Sequence, residues 1–142
     1  MRTNVTFEHP AKFIPVSGED GVLAVDGASW FVLLLERIPD LRFKSELCQE
    51  DWGVVVFAER NQSKFWIGLG MWPDSEHAWL AHFHHGVYSW LQRFTSSGKT
   101  ELQRLVVDFH NVLLTESTVR KVVWYEERKM RKANPDGSAV PL

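Results

Sequence analysis

The chain has 142 residues, of which 44% are hydrophobic and 24% are charged, which fits one globular domain that needs no disulfide or metal to stabilise it. A formal net charge of −2 and a sequence pI near 6.3 supply no basic field for a phosphate backbone, so we expect no nucleic-acid partner. Seven Trp and nine Phe beside only two Tyr indicate either an unusually aromatic core or an aromatic recognition surface.

The sequence also lacks the usual signals for export or membrane insertion. The N-terminal segment MRTNVTFEHP has no apolar run of the signal-peptide type, and no apolar stretch reaches the ~18 residues of a membrane span. The single cysteine, Cys48, cannot form a disulfide within the chain. We therefore expect a cytoplasmic protein that does not bind membranes.

The first third of the chain predicts one helix. Before it, prolines and a glycine interrupt the sequence, so that at most a short strand fits around residues 6–7 or 13–16. The segment DGASWFVLLLERIPD then predicts a helix with Asp26 as its N-cap and Pro39 at its end. Because apolar residues surround most of this helix, we expect it to be deeply buried.

The middle of the chain alternates between apolar and polar residues with a period of two, which predicts four strands. The segments are LRFKSEL (41–47), WGVVVFAER (52–60), KFWIGLGMW (64–72) and AWLAHFHH (78–85). Short connections between such segments are typical of antiparallel hairpins, so these strands should form a meander.

The last third predicts a second helix and a last strand. Thr100 and Gln103 have the spacing of a capping box, and a stripe of apolar residues at helical spacing follows. The stripe consists of Leu102, Leu105, Val106, Phe109, Val112 and Leu113. Residues 118–127 are β-branched and aromatic, which favours a strand.

The predicted elements together indicate an α+β domain over residues 1–130. Its antiparallel sheet should contain the four-strand meander plus the C-terminal strand, with two helices packed on one face. Residues 131–142 carry no apolar pattern, and we expect them to form a disordered tail.

Strand parity predicts which residues lie on the sheet face that the helices leave uncovered. In strand 64–72 the helix-covered side should consist of Phe65, Ile67, Leu69 and Met71. If Trp79 and Phe83 join the core, the other face carries Trp66, Gly68, Gly70, Trp72, His82 and His84. Glycines inside a strand often mark close approach of a ligand or another chain. We therefore predict that these six residues bind a protein partner or a second copy, as a regulatory or toxin-neutralising bacterial protein would. The alternative is that Trp66 and Trp72 cover a second small core under the N-terminal segment or at a dimer contact.

The segment AHFHHG offers a different function. Two imidazoles two residues apart on a strand lie on one face at ~6–7 Å, a spacing that suits a zinc-like ion. A small metal-dependent or histidine-based enzyme would then use His82 and His84 with a third residue. The nearby candidates are Glu59, Asp74, Glu76 and His77. None of them has a spacing that fixes a coordination geometry, so we predict a non-enzymatic binding domain without a cofactor, with zinc as the alternative.

Overall fold

A computed structural model describes residues 1–10, 25–44, 47–72, 77–86, 96–130 and 136–141. The strands in chain order are β1 (Asn4–Glu8), β2 (Arg42–Phe43), β3 (Cys48–Glu50), β4 (Gly53–Arg60), β5 (Ser63–Met71), β6 (Ala78–His85) and β7 (Arg120–Tyr125). The helices are α1 (Val25–Glu36), α2 (Ser96–Leu114) and the single turn α3 (Glu127–Met130). The α+β class, the antiparallel sheet and its two long helices are as predicted.

The strands form one antiparallel sheet in the order β2-β4-β5-β6-β1-β7. Strand β3 pairs with the same edge of β4 as β2 does, because β5 occupies the other edge along the whole of β4. The predicted four-strand meander is therefore present. Its first strand is represented by the two short strands β2 and β3, and β4, β5 and β6 follow. The N-terminal strand β1 covers the short strand that residues 6–7 allowed. It adds a strand to the five that we assigned to the sheet, since it lies between β6 and β7 and pairs with both.

Residues 136–141 belong to the segment for which we expected disorder. In the structure, the backbone N–H of Ser138 donates to the carbonyl oxygen of Trp124 at 2.9 Å and its carbonyl oxygen accepts from the N–H of Trp124 at 2.7 Å, which extends the sheet beyond β7. Pro141 is buried. This part of the tail is thus held by hydrogen bonds to the free edge of β7 rather than by an apolar pattern of its own.

The hydrophobic core lies between the two long helices and one face of the sheet. Alternate strand residues supply the sheet side of the core: Val5, Phe7, Val54, Val56, Ala58, Phe65, Ile67, Leu69, Trp79, Ala81, Phe83 and Trp124. All six residues of the predicted stripe on α2 are buried against them. The core is therefore rich in aromatic residues, which is one of the two interpretations that the Trp and Phe content allowed.

Four local predictions differ from the structure. α1 begins at Val25, so that Asp26 lies inside the helix and is not its N-cap. α2 begins at Ser96, so that Thr100 lies inside the helix and is not its cap. Leu33 on α1 is 58% exposed, because α1 packs on one side only and is not buried all round. Met71, which we placed on the helix-covered side of β5, is 45% exposed because it is the last residue of the strand, at the edge of the core.

Ion pairs connect the helices to the rest of the domain. Arg60 at the end of β4 donates to Asp108 of α2 at 2.6 Å, and its side chain is only 10% exposed. Glu101 of α2 accepts hydrogen bonds from Asn61 at 3.0 Å and from Arg104 at 2.7 Å. The β4–β5 hairpin is thereby fixed to α2. Among the residues that the structure describes, no helix is long and apolar enough to cross a membrane.

Candidate functional site

The six predicted site residues lie on the sheet face that is turned away from the core. In the β5–β6 ladder, Trp66 is directly opposite His84 and Gly68 is directly opposite His82. The pair between them, Ile67 and Phe83, is fully buried in the core. Side chains alternate between the two faces of a sheet, so the neighbouring pairs are on the other face. We call this second surface, over strands β2 to β6, the open face. The structure thus places these residues together, while their role in binding remains a prediction.

Four rings form a contiguous aromatic cluster on the open face. The rings of Trp66 and His84 are stacked, with centroids 4.2 Å apart and planes 11° from parallel. His82 makes edge contacts with three neighbours, at 5.2 Å to Trp66, 4.7 Å to Trp52 and 5.6 Å to His84. Rings that hold one another in this way have few rotamers available, so the surface of the cluster is preorganised.

Trp52 is the residue of this cluster that the sequence did not indicate. It lies in the tight turn between β3 and β4, and its indole folds back over β5. We predicted Trp52 as the first residue of strand 52–60, whereas β4 begins at Gly53. Strand parity does not apply in the preceding turn, so the period-two pattern does not give the direction of this side chain. The preference of Trp for interfaces was the only signal that could have included it.

The two glycines of β5 make room for side chains of the same chain. A Cβ atom on Gly68 would lie 1.9 Å from Nε2 of His82 and 2.7 Å from Cη2 of Trp52. A Cβ atom on Gly70 would lie 2.6 Å from the backbone oxygen of Trp52 and 3.2 Å from its Cε3 atom. The close approach that we predicted at these glycines is thus made by His82 and Trp52. The space above Gly68 and Gly70 is filled from within the molecule and is not an empty groove.

Trp72 does not belong to the four-ring cluster. Its ring lies parallel to that of Tyr125 on β7, with centroids 6.3 Å apart and planes 5° from parallel. Trp72 directly follows β5, and its backbone N–H donates to the carbonyl oxygen of Ala78 at 2.9 Å. Trp72 therefore continues the alternation that places Trp66 on the open face, as predicted from the sequence. Their neighbours nevertheless differ, and Trp72 is only partly exposed.

The exposed aromatic surface lies around this cluster. In the part of the chain that the structure describes, the exposed Trp and Phe residues are Phe57, which is 49% exposed, and Trp52, which is 42% exposed. Phe57 is directly opposite Trp66 on the neighbouring strand. Phe57, Trp66 and His84 therefore form one row across three strands, with Trp52 beside it.

The environment of His82 keeps its imidazole neutral. Burial, and to a lesser extent the neighbouring His84, lowers the pKa of His82 to about 4. Its Nε2 atom is buried and has no hydrogen-bond partner. A neutral imidazole packed against Trp52 contributes to the aromatic surface, and its buried Nε2 atom is not accessible for proton transfer or metal binding.

The residues proposed for a zinc site do not assemble around His82 and His84 in the described segments. No group of three or more His, Cys, Asp or Glu side chains there is arranged to hold a metal ion. Glu59 lies opposite Lys64, four positions along β4 from Val55, which is the residue opposite Gly68. Asp74 and Glu76 are outside the described residues.

No protein-family model, no curated protein and no solved structure matches this chain. The function must therefore be inferred from the side chains of this chain. In the described part, the two exposed residues among its Trp and Phe side chains are Trp52 and Phe57, and both lie on the open face.

Proposed function

We propose that the protein is a non-enzymatic binding domain that holds another protein surface against its open face. The observation that carries this proposal is the pair of exposed aromatic residues, Phe57 and Trp52, beside the partly exposed stack of Trp66 and His84. Aromatic residues are enriched in the centres of protein interfaces, and each Å² of apolar surface removed from water contributes about 25 cal/mol. Exposure of these rings to water is therefore unfavourable in free energy, and a partner that covered them would remove this unfavourable contribution.

The rigidity of the face supports the same proposal. Phe57 projects from the middle of a strand that is paired on both edges, and Trp66 is held by its stack with His84. Because these rings are ordered before a partner arrives, little conformational entropy is lost on binding. A rigid aromatic patch of this kind is suited to recognition of a folded protein.

The compartment that we propose is the cytoplasm. Cys48 is exposed on the surface and is a free thiol in the structure. Exposed thiols persist most readily where the glutathione pool keeps them reduced. In that compartment, a domain that covers a partner's surface acts as a regulatory or toxin-neutralising protein without chemistry of its own.

The test compares Phe57→Thr with a control on the other side of the molecule. Thr is a good strand residue, so the variant removes the ring and keeps the strand. The control is Leu33→Gln on α1, since Leu33 is 58% exposed and far from the open face. Immobilised wild type and both variants are exposed to cell extract, and the bound proteins are quantified. We expect Phe57→Thr to retain at least about tenfold less bound protein, as loss of a central aromatic residue does at interfaces, while Leu33→Gln matches the wild type. Equal retention by all three proteins, together with no self-association that depends on Phe57, would contradict the proposal.

A further inference from the structure

The two ends of the open face carry opposite charge. At one end, Arg42, Glu59 and Lys64 lie in one row across three strands, and Lys44 is next to Phe57, to whose carbonyl oxygen its backbone N–H donates at 3.4 Å. All four of these charged residues are exposed, and together they carry a net charge of +2. We call this the basic end.

The other end of the open face is acidic. Glu50 is paired with Gly53, which is paired in turn with Gly70 of β5, so Glu50 has the parity of the open face. Asp51 follows it in the β3–β4 turn, and both residues are exposed. This acidic end carries −2. Glu59 lies six positions after Gly53 in β4, which corresponds to about 20 Å along the strand.

We propose that the surface bound by the open face is that of a second copy of this chain, an inference that rests on the function proposed above. The two copies stack face to face about a twofold axis that is parallel to the sheet and perpendicular to the strands. This rotation reverses the strand direction, so that the basic end of each copy meets the acidic end of the other. In such an isologous interface each contact is made twice.

The aromatic residues obey the same symmetry. Phe57 lies on the side of the basic end, beside Lys44, and Trp52 on the side of the acidic end, directly after Asp51. The axis that pairs opposite charges therefore also brings Phe57 of each copy towards Trp52 of the other. A twofold axis along the strands would instead bring like charges together, which is unfavourable. The charge pattern thus selects one of the two face-to-face arrangements.

The experiment reverses the charge of each end separately and measures mass by sedimentation equilibrium over a range of concentrations at low salt. One variant is Arg42→Glu/Lys44→Glu, which makes both ends acidic, and the other is Glu50→Lys/Asp51→Lys, which makes both ends basic. We expect the wild type to be dimeric and each variant alone to dissociate with at least a tenfold higher Kd. A mixture of the two variants should form a heterodimer, and the quadruple variant, in which both ends are reversed, should dimerise as the wild type does. Glu36→Lys on α1 is the control for a change of charge elsewhere, and it should leave the Kd unchanged.

Two kinds of result would overturn the second-copy proposal. The first is a variant mixture or quadruple variant that stays monomeric while circular dichroism shows each protein to be folded. The second is a monomeric wild type at hundreds of micromolar. If such a monomer still retains extract proteins in a Phe57-dependent way, the binding function stands and only the second copy is wrong. If it retains none, both proposals are wrong.

Discussion

Gly68 gives the sharpest test of how the open face is built. A methyl group there would overlap Nε2 of His82 at 1.9 Å and Cδ2 at 2.2 Å, whereas heavy atoms in ordinary contact are separated by about 3.5–4 Å. The imidazole cannot move far, because Trp52 and Trp66 pack against it at 4.7 and 5.2 Å. Gly68→Ala is therefore an overpacking substitution of a side chain confined between two indoles.

The magnitude follows from two opposing effects. Overpacking a well-filled site costs about 1–3 kcal/mol, while Ala in place of Gly recovers about 0.4–1 kcal/mol by restricting the unfolded chain. We expect Gly68→Ala to lower the free energy of unfolding by about 1–2 kcal/mol. For a domain of this size that lowers the Tm by about 3–8 °C.

A double-mutant cycle assigns the effect to His82. In a His82→Ala background only the approach to Cη2 of Trp52 at 2.7 Å remains, and the indole can shift into the space that the imidazole leaves. Gly68→Ala should therefore cost much less there, with a coupling free energy of about 1–3 kcal/mol. Urea denaturation of the four proteins at pH 7 measures it. Gly86→Ala is the matched control, because its added Cβ would meet Lys64 atoms no closer than 3.2 Å. The reasoning is refuted if Gly68→Ala costs the same with and without the imidazole, or if it is no worse than Gly86→Ala.

Two further predictions concern titration and ion pairs. Because the pKa of His82 is lowered from 6.5 to about 4, the neutral form is favoured in the fold, and its contribution is fully present above pH 6.5 and is lost as the pH falls towards 4. In urea titrations, the unfolding free energy of the wild type should therefore fall by up to about 3 kcal/mol between pH 7 and pH 4. The unfolding free energy of His82→Gln should fall by measurably less. Equal losses in the two proteins would rule out His82 as the cause. Arg60 is only 10% exposed and lies between Asp108 at 2.6 Å and the 8% exposed Glu101 at 3.9 Å, so Arg60→Met removes a nearly buried cation and should cost about 3 kcal/mol. Arg37 is 44% exposed at its pair with Glu116, so Arg37→Met should cost under about 1 kcal/mol. Equal costs in chemical denaturation would show that burial does not distinguish the two pairs.

Local periodicity determined much of the open face in advance. The alternation in β5 and β6 predicted that Trp66, Gly68 and His82 would face away from the helices, and the register confirms this placement. The apolar stripe of α2 was equally readable, because its 3.6-residue period is a property of consecutive residues. Whether these residues bind a partner is a separate question, which the experiments above address.

The parts that could not be predicted depend on contacts between residues far apart in the sequence. Strand β1 is hydrogen-bonded to β6, some seventy residues further along the chain, and to β7, more than one hundred residues further along. Its own five residues are too few to give a distinctive pattern. The same holds for Ser138, which is ordered by the free edge of β7.

The contents of the open face divide in the same way. The amino-acid sequence by itself determined which strand residues point to that face, because alternation along a strand is local. Only the tertiary structure decided that Trp52 folds over Gly70 and that His82 fills the space above Gly68. The direction of a side chain in a turn and the space it enters are set by the neighbouring strands, so no pattern within the turn encodes them.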